Sequence, residues 1–279
     1  METRTETPTR TEIATSADGT QIAFSRYGEG PTIALVDGAT SYRAINPSAA
    51  QLADSIGSKF SIVAYDRRGR GESTDVQPYA VEREVEDLAA VIDATGGRAF
   101  VVGTSSGAVL ALHAAAAGLP ITKLALYEPP FIIDDTRPPL PIDYVPQLRA
   151  RAASKDPGSA VEYFLTVGIG MPAEQVKGMR GQPFFAPLEG VAHTIAYDGQ
   201  VMGDMMDGRP ETLLRWDSVE APTLVLDGSD SEGWMHHGVD ALAKILPNAE
   251  RRTLFGQTHQ LEASALAPEL ESFFSESSS

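Results

Sequence analysis

Between residues 32 and 126, short apolar runs alternate with longer stretches of helical spacing, and the connections are brief. Residues 32–36, 60–65, 99–102 and 121–126 read as strands. Residues 47–56 and 81–94 read as helices, the second with Val85, Leu88, Ala89 and Ile92 on one face and acids on the other. Strands that are apolar throughout must be covered on both faces, so this α/β pattern dictates a mostly parallel sheet between two layers of helix. Ligands of such sheets bind beyond the carboxyl ends of the strands, and functional residues are therefore expected directly after them. At the start of the chain, Asp18-Gly19 between two β-prone runs reads as a hairpin.

The third of these strands runs into Gly103-Thr104-Ser105-Ser106-Gly107, and the apolar run 108–114 follows. A G-x-S-x-G sequence between a strand and a helix lifts its serine out at the sheet end, above a helix N-terminus. An unassisted serine is a weak nucleophile; it needs a base and N–H donors for the oxyanion it creates. Five histidines are candidates for the base. His113 lies two helical turns past Ser105 and reads as a packing residue. His193 falls in an irregular stretch, and His236 and His237 follow the strand at 222–226, where either could line a pocket. His259 sits late in the chain, in a glycine-containing loop after the strand at 251–255, and is the favoured base. The order Ser, acid, His is that of one known triad arrangement.

These features together resemble the α/β-hydrolase fold family over residues 11–274. The resemblance is carried by the serine turn, the Asp66-Arg67-Arg68-Gly69-Arg70-Gly71-Glu72-Ser73 segment after the fourth strand, the Pro222-Thr223-Leu224-Val225-Leu226 strand and the late histidine. It implies an eight-stranded, mostly parallel sheet with helices on both faces and a small helical cap inserted after the sixth strand. The cap matches residues 131–207, which are proline-rich and helix-like, leaving 1–130 and 208–279 as the core. The family's usual acid falls three residues after a glycine that follows the seventh strand. Here that position is Ser231, which cannot serve. Asp230 is one residue early. Some members, including certain haloalkane dehalogenases and zearalenone-type lactonases, carry the acid after the sixth strand, where Glu128 stands. Glu128 is the favoured acid and Asp230 the alternative; a loop-capping or salt-bridging Glu128 is the plainer possibility. The oxyanion donors implied are the N–H groups of Ser106 and of Ala39, which follows Asp37-Gly38 where the family often has His-Gly. Asp37 is expected to turn away or to pair with an arginine such as Arg43. The arginine segment is expected to be structural, its charges pairing locally.

Met171, Met179, Phe184, Phe185, Met202, Met205, Met206, Trp234 and Met235 make residues 131–235 rich in large apolar side chains. Most are expected to pack that region together. Gly38, Trp234 and Met235 are candidate substrate contacts. The expected activity is that of a serine esterase or lactonase, cleaving a moderately large hydrophobic carboxylic ester or lactone. Alternatives are a lyase, acyltransferase or cyclase of a natural-product pathway on the same fold, and more remotely a non-catalytic ligand-binding protein. Ser105 stands where aspartate-type epoxide hydrolases and dehalogenases need a carboxylate, which disfavours them.

The net charge of −16 over 279 residues should repel nucleic acid and anionic membranes, so neither is an expected partner. There is no cysteine, which excludes a disulfide scaffold and a thiolate nucleophile. No metal-ligand spacing is evident and no cofactor is expected; no cationic pocket for phosphate or polycarboxylate is visible either. Residues 1–10 are polar, with no secretory segment, and 275–279 read as a frayed tail, so a cytoplasmic location is the default.

Overall fold

The computed structural model describes residues 10–276. The polar run before Arg10 and residues 277–279 of the expected tail lie outside the described residues. Ser275, expected to be frayed, instead ends a helix.

The strands are β1 (Glu12–Thr15), β2 (Gln21–Tyr27), β3 (Thr32–Val36), β4 (Ser61–Tyr65), β5 (Ala99–Thr104), β6 (Ile121–Tyr127), β7 (Thr223–Gly228) and β8 (Ala249–Leu254). They form one sheet in the order β1-β2-β4-β3-β5-β6-β7-β8. β2 runs antiparallel to β1 and β4, and all other neighbours are parallel. The helices are α1 (Ser48–Ile56), α2 (Val81–Ala94), α3 (Ser106–Ala116), α4 (Tyr144–Ala152), α5 (Gly158–Tyr163), α6 (Ala173–Met179), α7 (Phe185–Gly190), α8 (Ile195–Met202), α9 (Gly233–Ile245) and α10 (Ala263–Ser275). None of them is long and apolar enough to cross a membrane.

Alternation along the strands divides the core. Ala34, Val36, Val101, Leu124, Leu126 and Val225 point to the face covered by α2, α3 and α9. Ile33, Leu35, Val102, Ala125, Tyr127, Leu224 and Leu226 point to the face covered by α1 and α10. Successive side chains of a strand project to opposite faces, so an all-apolar strand feeds both layers. On the second face the Phe274 ring stacks on Phe100 at 4.5 Å between centroids and meets Phe60 edge-on at 6.3 Å.

The stretch between β6 and β7 contains α4 to α8, a π-helical turn (Phe164–Ile169) and two 3₁₀ turns (Ala192–Thr194 and Pro210–Trp216). Tyr144, Leu148, Ala160, Val161, Phe185 and Ile195 form a separate apolar cluster there. α7 ends at Gly190, and a 3₁₀ turn leads into α8. The second 3₁₀ turn belongs with the sheet layers, since Leu213 and Trp216 join the cluster of Val225 and Val239.

The Asp18-Gly19 hairpin joins β1 to β2 as expected. Asp18 Oδ1 accepts the Thr20 N–H at 2.9 Å, and Oδ2 accepts Arg68 Nη1 at 2.9 Å. Partial burial opposes ionisation, but the Thr20 hydrogen bonds and Arg68 prevail and hold the carboxyl at about 2.

Two outcomes follow. Phe274→Ala should cost about 3–5 kcal/mol of stability, seen as a lower urea midpoint; an unchanged midpoint would contradict the stacked core. The unfolded Asp18 titrates near pH 3.9, above its folded value, so its contribution is complete above that pH and fades as pH falls through about 2. Asp18→Asn should therefore lower the melting temperature at neutral pH, with the gap from the parent shrinking on acidification. A constant gap would refute this.

Candidate active site

Ser105 joins β5 to α3 with φ 55° and ψ −128°. A non-glycine residue there is strained by about 1–3 kcal/mol, so its surroundings must hold it. The Ser105 N–H donates to the Tyr127 carbonyl at 2.9 Å, and the Ser105 carbonyl accepts from Ala108 at 3.0 Å. The motif glycines make room for the turn. A Cβ on Gly107 would fall 2.1 Å from the Val36 oxygen, and one on Gly103 would fall 2.5 Å from Ala108 Cα. Both glycines therefore reflect close backbone approach.

His259 Nε2 lies 3.1 Å from Ser105 Oγ, and its Nδ1 lies 2.7 Å from Glu128 Oε2. Glu128 follows β6 with φ 45° and is wholly buried. Its other oxygen accepts the Gly228 N–H at 2.8 Å and the Ser231 hydroxyl at 2.5 Å. A buried carboxylate needs such donors. Ser231, which occupies the family's usual acid position, thus supports an acid supplied by the neighbouring strand. Asp230 is exposed, accepts the hydroxyl of Ser229 at 2.7 Å, and makes no hydrogen bond to His259. The geometry brings Glu128, not the alternative Asp230, to the histidine.

Ser106 is the first residue of α3, where backbone N–H groups have no intrahelical acceptor. Ala39 follows β3, beside Gly38, where an added Cβ would meet Ser105 Cβ at 2.9 Å. Asp37 does not pair with Arg43; its carboxylate is held by Asn46 and Ser41. Asn46 Nδ2 donates to both Asp37 oxygens at 3.0 Å and Ser41 Oγ donates at 3.1 Å. Burial pushes the Asp37 carboxyl above its ordinary value despite these bonds. Arg43 instead reaches Asp66 and Glu72.

The arginine segment also departs from expectation, because two of its charges pair far along the chain. Arg67 binds both oxygens of Glu84 at 2.6 Å and also Asp198 of α8 at 2.6 Å. Arg70 binds the other Asp198 oxygen at 2.6 Å. Burial alone would raise the Asp198 carboxyl, but Arg67 and then Arg70 hold it below the ordinary carboxylate value. Ser106 Oγ donates to the same carboxylate at 2.8 Å. Sequence reasoning missed Asp198; its only signal was an acid in a helix-like stretch.

The remaining histidines lie apart from Ser105. His113 packs edge-on against Trp216, with Nε2 3.1 Å from the Val201 carbonyl, as expected. His193 is exposed beside Asp75. His236 and His237 line neither cavity at Ser105: they sit in α9 (Gly233–Ile245) and reach Asp227 (2.5 Å) and Asp134 (2.6 Å). Among the described residues, no three His, Asp or Glu side chains gather to hold a metal ion.

Two cavities meet at Ser105. One, of about 610 Å³, lies under the β6–β7 helices and is lined by Leu140, Val145, Ile195, Met202, Met206, Trp234 and Met235, with Asp198 also on its wall. Met205 and Phe185 are buried instead, and Phe184 is largely exposed. Arg137 also lines this cavity, its guanidinium 4.3 Å over the Trp234 ring. The second, of about 710 Å³, lies beside the loop after β3 and includes Gly38, Ala39, Asn46 and Gln51. Phe164 and Ile169 of the π-helical turn line both.

Gly107→Ala should fail to give folded protein, whereas Gly178→Ala, in α6 with nothing near its added methyl, should gain about 0.4–1 kcal/mol. Thermal melting of both checks this, and a stable Gly107→Ala protein would contradict the packing at the turn.

Comparison with known proteins accords with this fold. An alpha/beta hydrolase from Sphaerobacter thermophilus DSM 20745 is 50% identical and superposes with a TM-score of 0.86, over 95% of this chain and 100% of that one. An esterase from Rhodococcus sp. ECU1013 shares 20% identity at a TM-score of 0.67, covering 95% and 98%. The enol-lactonase from Burkholderia xenovorans LB400 shares 19% at 0.68, covering 95% and 100%. At those lower identities the likeness is one of fold. The sequence model of the alpha/beta hydrolase family matches residues 35–270, and the chain belongs to that family.

Proposed function

We propose that this protein is a serine hydrolase that cleaves a carboxylic ester or lactone through an acyl-enzyme on Ser105. The carrying observation is the continuous chain from Ser105 Oγ through His259 to Glu128, with separations of 3.1 Å and 2.7 Å. Ser105 Oγ attacks the substrate carbonyl carbon while His259 Nε2 takes its proton. The Ala39 and Ser106 N–H groups receive the developing oxyanion, aided by the positive end of α3. Collapse breaks the carbon–oxygen bond, and His259 returns its proton to the departing alcohol oxygen. A water then attacks the acyl carbon, His259 takes one of its protons, and the acid leaves as Ser105 recovers its own. Glu128 holds the imidazole with Nδ1 protonated and stabilises the imidazolium.

The substrate is a hydrophobic molecule of moderate size. A cavity of about 610 Å³ is within the range of small-molecule sites, and its aliphatic and thioether lining favours apolar groups. Residues 131–207 act as a cap over a core of 1–130 and 208–279, with Trp234 and Met235 from the core completing the wall. We place the enzyme in the cytoplasm, acting without a cofactor and without nucleic acid or membrane as a partner.

Ser105→Ala should keep its fold and lose p-nitrophenyl ester hydrolysis; retained turnover would end this proposal. Glu128→Gln should lower kcat by about 10⁴-fold, the scale of losing the acid in a serine triad. Asp230→Asn should leave kcat as in the parent. The reverse ranking would move the acid to Asp230.

A further inference from the structure

We infer that Asp198 is a positioning residue that sets both oxyanion donors, joining the helices over the site directly to the reacting geometry. The inference rests on the Ser105–His259 hydrolase proposal. Asp198 is buried, and its two oxygens together reach both sides of the oxyanion site. Oδ1 accepts Ser106 Oγ at 2.8 Å and Arg67 Nη1 at 2.6 Å; Oδ2 accepts Arg70 Nη2 at 2.6 Å. The two guanidinium groups continue to the loop after β3. Arg67 Nη1 donates to the Asp37 carbonyl at 3.2 Å, and Arg70 Nη1 donates to the Gly38 carbonyl at 2.7 Å.

The last bond carries the argument. The Gly38 carbonyl and the Ala39 N–H belong to one peptide plane and point in opposite directions across it. Holding the carbonyl on Arg70 therefore fixes the direction of the Ala39 N–H. The cationic donor also withdraws electron density through the peptide, making that N–H a stronger donor. On the other side, the Ser106 side chain anchors the first residue of α3, whose own N–H is the second donor. One carboxylate thus spans both donors. Its charge is countered by the two arginines, with Glu84 taking the excess, so the oxyanion does not face an uncompensated anion. Fastening the helices to the core does not require this arrangement. Tyr197, also on α8, already donates to Asp75 at 2.7 Å and accepts from Gln77 at 2.8 Å.

Asp198→Asn keeps the shape but turns an NH₂ toward a guanidinium, freeing one side of the bridge. A misplacement of about 1 Å near the reacting atoms can cost about 10²-fold. The test measures kcat and KM per titrated active site, the inhibition constant of an alkylboronic acid that forms a tetrahedral adduct on a serine hydroxyl, and thermal melting. In Asp198→Asn, kcat should fall about 10–100-fold and the boronate should weaken by the same factor, with KM near the parent value. Ser106→Ala, which removes only the side-chain anchor, should shift both in the same direction by less. Tyr197→Phe should lower the melting temperature and move neither. The inference is overturned if Asp198→Asn keeps parental kcat and boronate affinity per active site, whatever its melting temperature. If that variant does not fold, parental values in Ser106→Ala overturn it. Turnover by Ser105→Ala would instead bring down the underlying serine proposal, a failure read separately.

Discussion

Three backbone segments crowd together at Ser105, and the rest of the site depends on that crowding. β5 and α3 cannot meet in a relaxed turn, so Ser105 takes a positive φ, and the loop after β3 lies against it within van der Waals reach. The strain exposes the hydroxyl, and the same approach brings Ala39 beside the N-terminus of α3. Glu128, also at positive φ, follows β6 one strand away, and its carboxylate is fixed by the backbone end of β7. Sheet order brings separate strand ends to one site: β3, β5, β6 and β7 are successive neighbours.

A second constraint is the burial of charge. Arg67, Arg68 and Arg70 are almost inaccessible, which is costly unless each guanidinium is paired and hydrogen-bonded. Glu84, Asp87, Asp18 and Asp198 meet that need. Such a network is a poor source of net stability, yet it specifies geometry strongly, because each broken pair leaves a charge stranded in the interior. Here it ties α2, the loop after β3 and α8 to one another. The helices that cover the cavity of about 610 Å³ are thereby coupled to the floor on which Ser105 stands.

Much of this was legible in the sequence. The strands declared themselves because an all-apolar run flanked by glycine or acid has few other uses, and the serine turn carried its own steric signature. His259 could be picked by its place after the last strand. The acid could not be fixed from sequence, since Glu128 and Asp230 both follow strands and only the pairing of β6 with β7 brings one of them to His259. The partners of Arg67 and Arg70 were hidden for a related reason. Asp198 is more than a hundred residues away, in a stretch of short helices whose docking no local pattern encodes.

The central claim is that the serine centre closes through Glu128. Proton NMR of the His259 imidazole tests it most directly, because an Nδ1 proton shared with a buried carboxylate resonates far downfield of other protein protons. That signal should be present in the parent protein and in Asp230→Asn, and lost from the low-field region in Glu128→Gln. Its survival in Glu128→Gln, or its loss in Asp230→Asn, would contradict the account.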